Sequence, residues 1–302
     1  MLKALQLFIV ITIAVSVSAQ ETVLQAIASQ QKQTGLTLAT FYKELRTVDF
    51  AARASEDKKL HVATNGIPLE GALSRDGGYI AFELSVDHPY RRYLAIARSD
   101  GSGLREFPDN VSPSHFCWSY DKSKMALNAA LRRQAFGELV IVELDSKATQ
   151  ELEASARVTS QCWSPDDKQI VYGVGSNIRI YDLNEKKSRE LVQGTDPAWS
   201  PDGNWIAFRD DDSYYAIRPS GAERKLLFKT FLARSGPWWS PDAALVAYQC
   251  VDKKMPKHSE FATRQLRVRR LSDNSDDWVA EGSDVDYVPS YQWVLPVQPQ
   301  SK

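Results

Sequence analysis

Short apolar clusters recur along this chain, each at a fixed distance after a polar turn. In five copies a Ser precedes an Asp by two positions, and the fourth, fifth and sixth residues after that Asp are apolar. The clusters are Ile80-Ala81-Phe82, Met125-Ala126-Leu127, Ile170-Val171-Tyr172, Ile206-Ala207-Phe208 and Val246-Ala247-Tyr248. Successive copies of the Asp lie 45, 45, 36 and 40 residues apart. Repeats of this length with several short strands are typical of propeller blades, so the pattern predicts an all-β β-propeller.

The polar turn in each repeat has a structural role. Pro after the Ser pre-sets φ, and Asp can accept hydrogen bonds from nearby backbone N–H groups. We expect the Ser and Asp to shape a turn between two strands, and the Trp that precedes the Ser in four copies to pack between blades. The residues of this motif are Asp76, Asp121, Asp166, Asp202, Asp242, Trp118, Trp163, Trp199 and Trp239.

The two ends of the chain supply material for one more blade. Ser290-Tyr291-Gln292-Trp293 is similar to Ser160-Gln161-Cys162-Trp163, which precedes a repeat motif. Three further strands are predicted at Leu36–Phe41, Thr47–Ala52 and Lys59–Thr64. A blade shared by the termini would remove the open sheet edges of the ring. We therefore predict a six-bladed propeller over residues 36–302, with five complete repeats and one blade closed by N- and C-terminal strands.

The first residues are typical of an export signal. Lys3 is followed by an apolar run to Val15, and Val17-Ser18-Ala19 places small residues before a cleavage site after Ala19. Residues 1–19 are interpreted as a signal peptide, with an uncleaved anchor as the alternative, and residues 20–35 as a helical or flexible segment. The mature chain is expected in the periplasm or outside the cell, without a membrane span.

The charge balance and the cysteines limit the partners. The chain has 37 Lys and Arg against 38 Asp and Glu, which argues against nucleic-acid binding because that needs a basic face. Cys117 and Cys162 occupy equivalent positions in neighbouring repeats. They can form a disulfide only if their strands approach closely enough. We favour free thiols behaving as small apolar groups, and Cys250 has no evident partner.

One repeat carries a family resemblance in full. Trp199-Ser200-Pro201-Asp202-Gly203, followed by Ile206-Ala207-Phe208, resembles the TolB-type, WD-like propeller repeat of bacterial envelope proteins, and the similarity covers roughly residues 66–294. The other copies depart at one or more positions, as where Leu73 replaces Trp. The resemblance implies a propeller fold. TolB itself has a separate α/β domain before its propeller, through which the Tol machinery is engaged. Only residues 20–35 precede the first predicted strand, so we expect that domain to be missing.

No catalytic or metal-binding pattern is found. The repeated Ser and Asp occur in every unit, whereas a nucleophile acts once and needs a base in reach. The chain has no G-x-S-x-G elbow and no room for the hydrolase domain that carries it, which argues against a propeller-bearing serine peptidase. His61, His88, His115 and His258 show no zinc spacing. Asp210, Asp211 and Asp212 could bind calcium, but a solvated loop is favoured. No cofactor is expected.

The connections between the repeated strands are better functional candidates. In a propeller, the loops between the second and third strands and those joining blades emerge on one face. Arg, Lys and Tyr are common there and are typical of protein interfaces. The candidate partner-binding residues are Tyr90, Arg91, Arg92, Arg132, Arg133, Lys253, Lys254 and Lys257. Ordinary surface variation is the alternative explanation.

We therefore interpret the chain as an exported, monomeric, non-enzymatic propeller that binds an unidentified protein or peptide partner in the cell envelope. The alternative is a carbohydrate-binding or polysaccharide-acting propeller enzyme with its site at the central channel. A passive sensor or scaffold is a third possibility. The lining of the channel mouth distinguishes the first two: His, Asp and Arg converging from three or more blades favour an enzyme, and an apolar mouth with Arg favours a partner.

Overall fold

A computed structural model describes residues 37–42, 44–49, 54–59, 66–87, 90–130, 138–153, 158–251, 264–281 and 292–294. All the regular elements in these segments are β-strands. They are β1 (Thr37–Tyr42), β2 (Glu44–Asp49), β3 (Ala54–Lys59), β4 (Ile67–Leu73), β5 (Tyr79–Asp87), β6 (Tyr90–Arg98), β7 (Arg105–Trp118), β8 (Lys124–Ala130), β9 (Glu138–Glu143), β10 (Thr149–Glu153), β11 (Val158–Trp163), β12 (Gln169–Val174), β13 (Asn177–Asp182), β14 (Lys187–Gln193), β15 (Thr195–Trp199), β16 (Ile206–Asp210), β17 (Ser213–Ile217), β18 (Lys225–Lys229), β19 (Ala233–Trp239), β20 (Leu245–Val251), β21 (Arg264–Arg270), β22 (Asp276–Glu281) and β23 (Gln292–Val294).

The five repeats form five antiparallel, four-stranded blades. Blades 3, 4 and 5 are separate sheets, built from β11–β14, β15–β18 and β19–β22 in chain order. Blades 1 and 2 share the long strand β7, whose first part pairs with β6 and whose last part pairs with β8. The innermost strands, β4, the end of β7, β11, β15 and β19, lie side by side in that order. The predicted all-β propeller is confirmed.

The prediction of six blades is wrong in its count. Strand β23 does pair with β1, with Trp293 opposite Leu38, and β1 and β2 continue the ladder to β3. The terminal strands therefore join as expected, and β23 lies between β19 and β4. However, β1 also pairs with β4, with Phe41 opposite Gly71. This backbone pairing merges the terminal strands into the sheet of blade 1, so the structure has five blades. The predicted signal peptide and residues 20–35 lie outside the described residues.

The motif turn has the same hydrogen bonds in all five copies. The Ser Oγ donates to the Asp Oδ1 at 2.5–2.7 Å. The same Oγ accepts the N–H of the first residues of the next strand at 2.9 Å. The Asp Oδ1 also accepts a backbone N–H two residues later, at 2.9–3.2 Å. The turn thus fixes the start of the second strand, whose apolar cluster is fully buried in every blade.

The residue after each motif Asp has a left-handed backbone. Its φ is +70° at Gly77, +62° at Lys122, +56° at Asp167, +72° at Gly203 and +57° at Ala243. Gly adopts this conformation without a steric penalty. The non-glycine residues at Lys122 and Asp167 make contacts with the preceding blade instead: Lys122 Nζ lies 2.6 Å from Asp76, and Asp167 accepts the Tyr120 and Asp121 N–H groups.

Ala243 offers a clean test of this strain. We expect Ala243→Gly to raise the free energy of unfolding by about 1 kcal/mol, because the left-handed conformation penalises an L-residue with a Cβ. The reciprocal change Gly203→Ala should lower it by a similar amount, since a Cβ there meets only Pro165 atoms at 3.8 Å. Urea denaturation of both variants measures the two effects. A destabilised Ala243→Gly variant would contradict this account.

Indole hydrogen bonds join neighbouring blades. Trp118 Nε1 donates to the Ala72 carbonyl at 3.0 Å and Trp163 Nε1 to the Cys117 carbonyl at 3.1 Å. Trp239 Nε1 bonds the Ala198 carbonyl in the same way at 3.1 Å. Trp199 Nε1 differs: it is buried, and within the described residues it has no partner. The repeated Trp therefore connects blades 2, 3 and 5 each to the blade before it, whereas blade 1 has Leu73 at this position.

Candidate functional site

The inner strands enclose a central channel with a cavity of about 310 Å³. Backbone bonds show which connections share a face. The turns after the third strands lie against the motif turns, as where Leu183 N–H donates to the Lys168 carbonyl at 3.0 Å. The turns between the second and third strands lie on the opposite side, next to the connections that join one blade to the next. There, for example, the Gly194 N–H donates to the Ser176 carbonyl at 2.8 Å. We call the side with the motif turns the motif face, and the opposite side the loop face.

At the motif face, the mouth of the channel is apolar with one Arg. The Arg75 guanidinium lies over the Tyr120 ring, 4.6 Å from its centroid. Pro201 and Pro241 line the same end of the cavity. Burial, followed by the neighbouring Cys162, raises the pKa of Tyr120, against the opposing charge of Arg75. Tyr120 is therefore a neutral stacking partner of Arg75 at physiological pH.

At the loop face, His115 and Asp196 line the channel. The His115 Nδ1 lies 3.1 Å from Ser114 Oγ. Desolvation by the surrounding protein lowers the pKa of His115, although the Asp196 carboxylate acts in the opposite direction. The imidazole is therefore mostly neutral at pH 7, and can offer one donor and one acceptor to a ligand.

Asp196 is already paired. Its Oδ2 accepts Arg209 Nε at 3.0 Å and Arg209 Nη2 at 2.9 Å, both within blade 4. Thr195 Oγ1 adds a weaker hydrogen bond at 3.3 Å. The Arg209 charge balances the Asp196 charge, so this carboxylate is a structural and hydrogen-bonding group more than a free base.

Strand β11 carries three buried side-chain polar atoms without partners, on residues that line the channel. Thr159 Oγ1, Ser160 Oγ and Gln161 Oε1 are buried, and no partner exists for them in the part of the chain that the structure describes. Gln161 is only 8% exposed, and its Nε2 donates to the His115 carbonyl and, at 3.4 Å, to the Ala126 carbonyl. Buried polar atoms are rarely left unpaired in native proteins. These three consecutive residues are therefore candidate ligand contacts.

A bulge places these residues in the channel. In β11 the pairing register with β12 shifts between Val158 and Ser160, and similar shifts occur near the start of the other inner strands. The residues four positions before the motif Ser include His115, Asp196 and Gly236, with φ of +52°, +54° and +92°. Bulges re-aim side chains and are common beside binding sites. This repeated position, four residues before the motif Ser, is a signal in the sequence that neither the loops nor the spacing of the histidines reveals.

The predicted partner-binding residues are only partly described. Arg91 is exposed beside the β5–β6 turn. Arg92 lies 3.8 Å from Glu83, a buried carboxyl whose pKa is raised by desolvation and lowered in part by Arg92. Arg92 thus has a structural role besides any contact with a partner, and Tyr90 begins β6. The other candidates, Arg132, Arg133, Lys253, Lys254 and Lys257, lie outside the described residues.

The acidic run does not converge on one point. Asp210 Oδ2 lies 2.8 Å from Arg224 Nη2, and Asp212 Oδ1 accepts the Ala233 N–H at 3.0 Å. Asp211 is exposed at the turn. Calcium needs six to eight oxygens around one centre, so this geometry does not support the calcium alternative. Across the described segments, no group of three or more His, Cys, Asp or Glu side chains is arranged to hold a metal ion. The described elements also include no helix able to cross a membrane.

One family profile matches part of the chain. The dipeptidyl peptidase IV (DPP IV) N-terminal region matches residues 119–196, which extend from the motif of blade 2 to the first strand of blade 4. The match covers about a quarter of the chain and concerns repeat structure.

Solved structures match most of the chain. TolB from Acinetobacter baumannii is 15% identical, covering 91% of this chain and 72% of that one, with a TM-score of 0.62. A putative TolB from Agrobacterium tumefaciens is 14% identical over 82% of this chain and 88% of its own, with a TM-score of 0.63. An oligogalacturonate lyase in complex with manganese is 13% identical over 83% and 80%, with a TM-score of 0.56.

At sequence identities of 13–15%, these matches show a similar fold and no more. The motif turns, the inner strands and the channel all follow the arrangement expected from the repeat. The chain therefore has the fold of a TolB-like β-propeller.

Proposed function

We propose that this protein is an exported, non-enzymatic propeller that binds a protein or peptide partner at the loop face, with part of the partner entering the channel. The observation that carries the proposal is the set of three buried, unpaired polar atoms on Thr159, Ser160 and Gln161 at the channel wall. An unpaired buried polar atom costs about 1–3 kcal/mol, so a ligand toward which these side chains turn, and which pairs their polar atoms, recovers that free energy.

The chemistry of the site suits a peptide. Two hydroxyls can donate or accept, and the Gln161 Oε1 accepts, which matches the N–H and C=O groups of an extended backbone. The opposite wall of the channel carries Gly236 and Pro237, which leave space and an apolar surface for small side chains.

A projecting hairpin enlarges the same face. Strands β5 and β6 have nine residues each, against five to seven in the corresponding hairpins of blades 3, 4 and 5. The hairpin carries exposed Arg91, and Ile67, which is 55% exposed, pairs with Ser85 on it. An exposed apolar residue near a cationic one is typical of a protein-binding surface.

The polysaccharide-acting alternative rests on His115 and Asp196, which share one mouth of the channel, and on the likeness to the oligogalacturonate lyase. Only blades 2 and 4 supply these titratable groups, and Arg209 balances the carboxylate. Incubation with oligogalacturonate, with and without Mn²⁺, tests this alternative through the ultraviolet absorbance of an unsaturated product. Product formation that is lost in His115→Ala would establish the enzyme and overturn the non-enzymatic proposal.

Site-specific photo-crosslinking in the native cell envelope tests the binding proposal. A photoreactive residue at Arg91 or Asp211 probes the loop face, and one at Lys186, in the turn after β13, serves as the motif-face control. We expect the same crosslinked species from both loop-face probes and little from Lys186. Gln161→Ala should reduce its yield about ten-fold, because one buried hydrogen bond is lost.

Two results would overturn the proposal. One is a species that crosslinks equally well from Lys186, which would mean that the partner does not bind specifically at the loop face. The other is the absence of any crosslink from both loop-face positions in folded, exported protein.

A further inference from the structure

Two thiols from neighbouring blades meet in the channel. Cys117 and Cys162 are both free, partly exposed, and line the same cavity. They stand at equivalent positions, each just before the blade's Trp, and the Trp163 indole bond to the Cys117 carbonyl holds their strands together at 3.1 Å. Cys250, the third cysteine, is buried among the apolar residues of blade 5.

The two sulfur atoms are not equivalent. A Cys162 thiolate is stabilised by the Cys117 side chain, the Trp199 backbone N–H and the positive charge of Arg75, whereas Cys117 has the Trp163 backbone N–H and the negative charge of Asp167 nearby. These contacts hold the pKa of Cys162 below its ordinary value despite burial, and the same pairing raises the pKa of Cys117. When protonated, each thiol donates weakly to the carbonyl of the Trp that follows it, at 3.8 Å for Cys117 and 3.5 Å for Cys162.

We propose that Cys117 and Cys162 form a thiol–disulfide exchange site in the channel, with small disulfides as its substrate class. Three features of the geometry support it: the two cysteines lie on neighbouring inner strands joined by the Trp163 indole bond, both are partly exposed and line the same cavity, and the Arg75 guanidinium lies at the nearest mouth. Cys162 is the attacking sulfur and Cys117 the resolving one. This site is independent of the partner-binding proposal.

The exchange balances in two steps. The Cys162 thiolate attacks one sulfur of a small disulfide R–S–S–R, forming Cys162–S–S–R and releasing the thiolate R–S⁻. Cys117 loses its proton to solvent or to that released thiolate, and its sulfur attacks Cys162 Sγ, forming the Cys117–Cys162 disulfide and releasing a second R–S⁻. The two cysteine thiols lose two electrons in total, and these reduce R–S–S–R to two thiols.

Arg75 favours anionic disulfides. Its guanidinium lies over Tyr120 at the motif-face mouth, beside the entrance nearest to the thiols. A disulfide that carries carboxylates, such as oxidised glutathione, is attracted to this charge. The resulting Cys117–Cys162 bond would join β7 to β11 and link blades 2 and 3 covalently.

Oxidised glutathione added to the folded mature protein tests the site, with peptide mapping by mass spectrometry. We expect the wild type to lose two free thiols and to accumulate the Cys117–Cys162 disulfide without a lasting adduct. Cys117→Ser should instead hold a stable glutathione adduct on Cys162, because the resolving sulfur is missing. Cys162→Ser should react about ten-fold more slowly, since it lacks the stabilised thiolate. Cys250→Ser is the matched control and should behave as the wild type.

The rate gives a readout that a structural role would not change. In the wild type, the rate of thiol loss should rise with pH through a midpoint lower than that of Cys117 in the Cys162→Ser variant. Arg75→Gln should slow the reaction with oxidised glutathione more than that with the neutral disulfide of 2-mercaptoethanol. The proposal is overturned if the folded wild type does not react, if a mixed disulfide persists on it, or if all three cysteines react at similar rates. Melting temperatures of the variants show whether each is folded.

Discussion

Trp163→Phe is expected to lower the free energy of unfolding by about 2–4 kcal/mol. The Trp163 side chain is fully buried, and its Nε1 supplies the bond to the Cys117 carbonyl that joins blades 2 and 3. Phe keeps most of the apolar contact, but it leaves a small cavity and removes the donor. Both losses fall at the boundary between two blades, where the apolar clusters of neighbouring sheets pack together.

Trp199→Phe is the matched control. Trp199 occupies the same position in blade 4 and is 6% exposed, but its Nε1 has no partner among the described residues. Phe therefore removes no hydrogen bond there, and also removes an unpaired buried donor. We expect this change to cost about 1–2 kcal/mol less than Trp163→Phe. Equal costs in urea denaturation would contradict the importance of the indole bond.

Ser200→Ala is expected to cost about 2–3 kcal/mol. Ser200 is fully buried, donates to Asp202 Oδ1 at 2.5 Å and accepts the Trp205 N–H at 2.9 Å. Ala removes both bonds at once and leaves the N–H at the start of the next strand unpaired. Ser220→Ala, at an exposed turn with a single 3.4 Å hydrogen bond, should change stability by less than about 0.5 kcal/mol.

The pH dependence of this effect has a definite sign. Desolvation opposes the charge of Asp202, but hydrogen bonds from Ser200 and Asn204 outweigh it and hold the pKa of Asp202 below its ordinary value. A carboxyl with a lowered folded pKa stabilises the protein above its unfolded pKa of about 3.9 and loses that contribution as pH falls through the folded value. The difference between wild type and Ser200→Ala should therefore shrink below about pH 4. A difference that grows on acidification would contradict the role assigned to this bond.

The repeat could be predicted from the sequence because its hydrogen bonds form between residues that are close in the chain. Each turn places its Ser, Asp and following strand within seven consecutive residues, so spacing alone indicates how they bond. The buried clusters follow in the same way, because the strand that begins at Ile206 lies between two others of its own blade. The left-handed position after the Asp is also visible in the sequence, where Gly77 and Gly203 occupy it.

The candidate site could be predicted only in part. Arg91 was found as an exposed residue of the loop face, but the channel contacts at Gln161 and Asp196 were not, because a bulge aims them inward and register shifts depend on the partner strand. Arg92 was assigned to the surface, whereas its position beside buried Glu83 gives it a second role. The proximity of Cys117 and Cys162 could not be predicted from the sequence, because it depends on how closely two inner strands approach each other.

The sequence by itself determined the propeller architecture, the turn chemistry and the residues that fill each blade, because these depend on hydrogen bonds and hydrophobic spacing within one repeat. The tertiary structure decided the features between repeats. It merged the terminal strands with blade 1 through the β1–β4 pairing, left the Trp199 indole donor without a partner among the described residues, and brought separate inner strands around one channel. Those features depend on contacts between segments that are far apart in the sequence, such as Phe41 with Gly71 and Leu38 with Trp293, which local patterns do not encode.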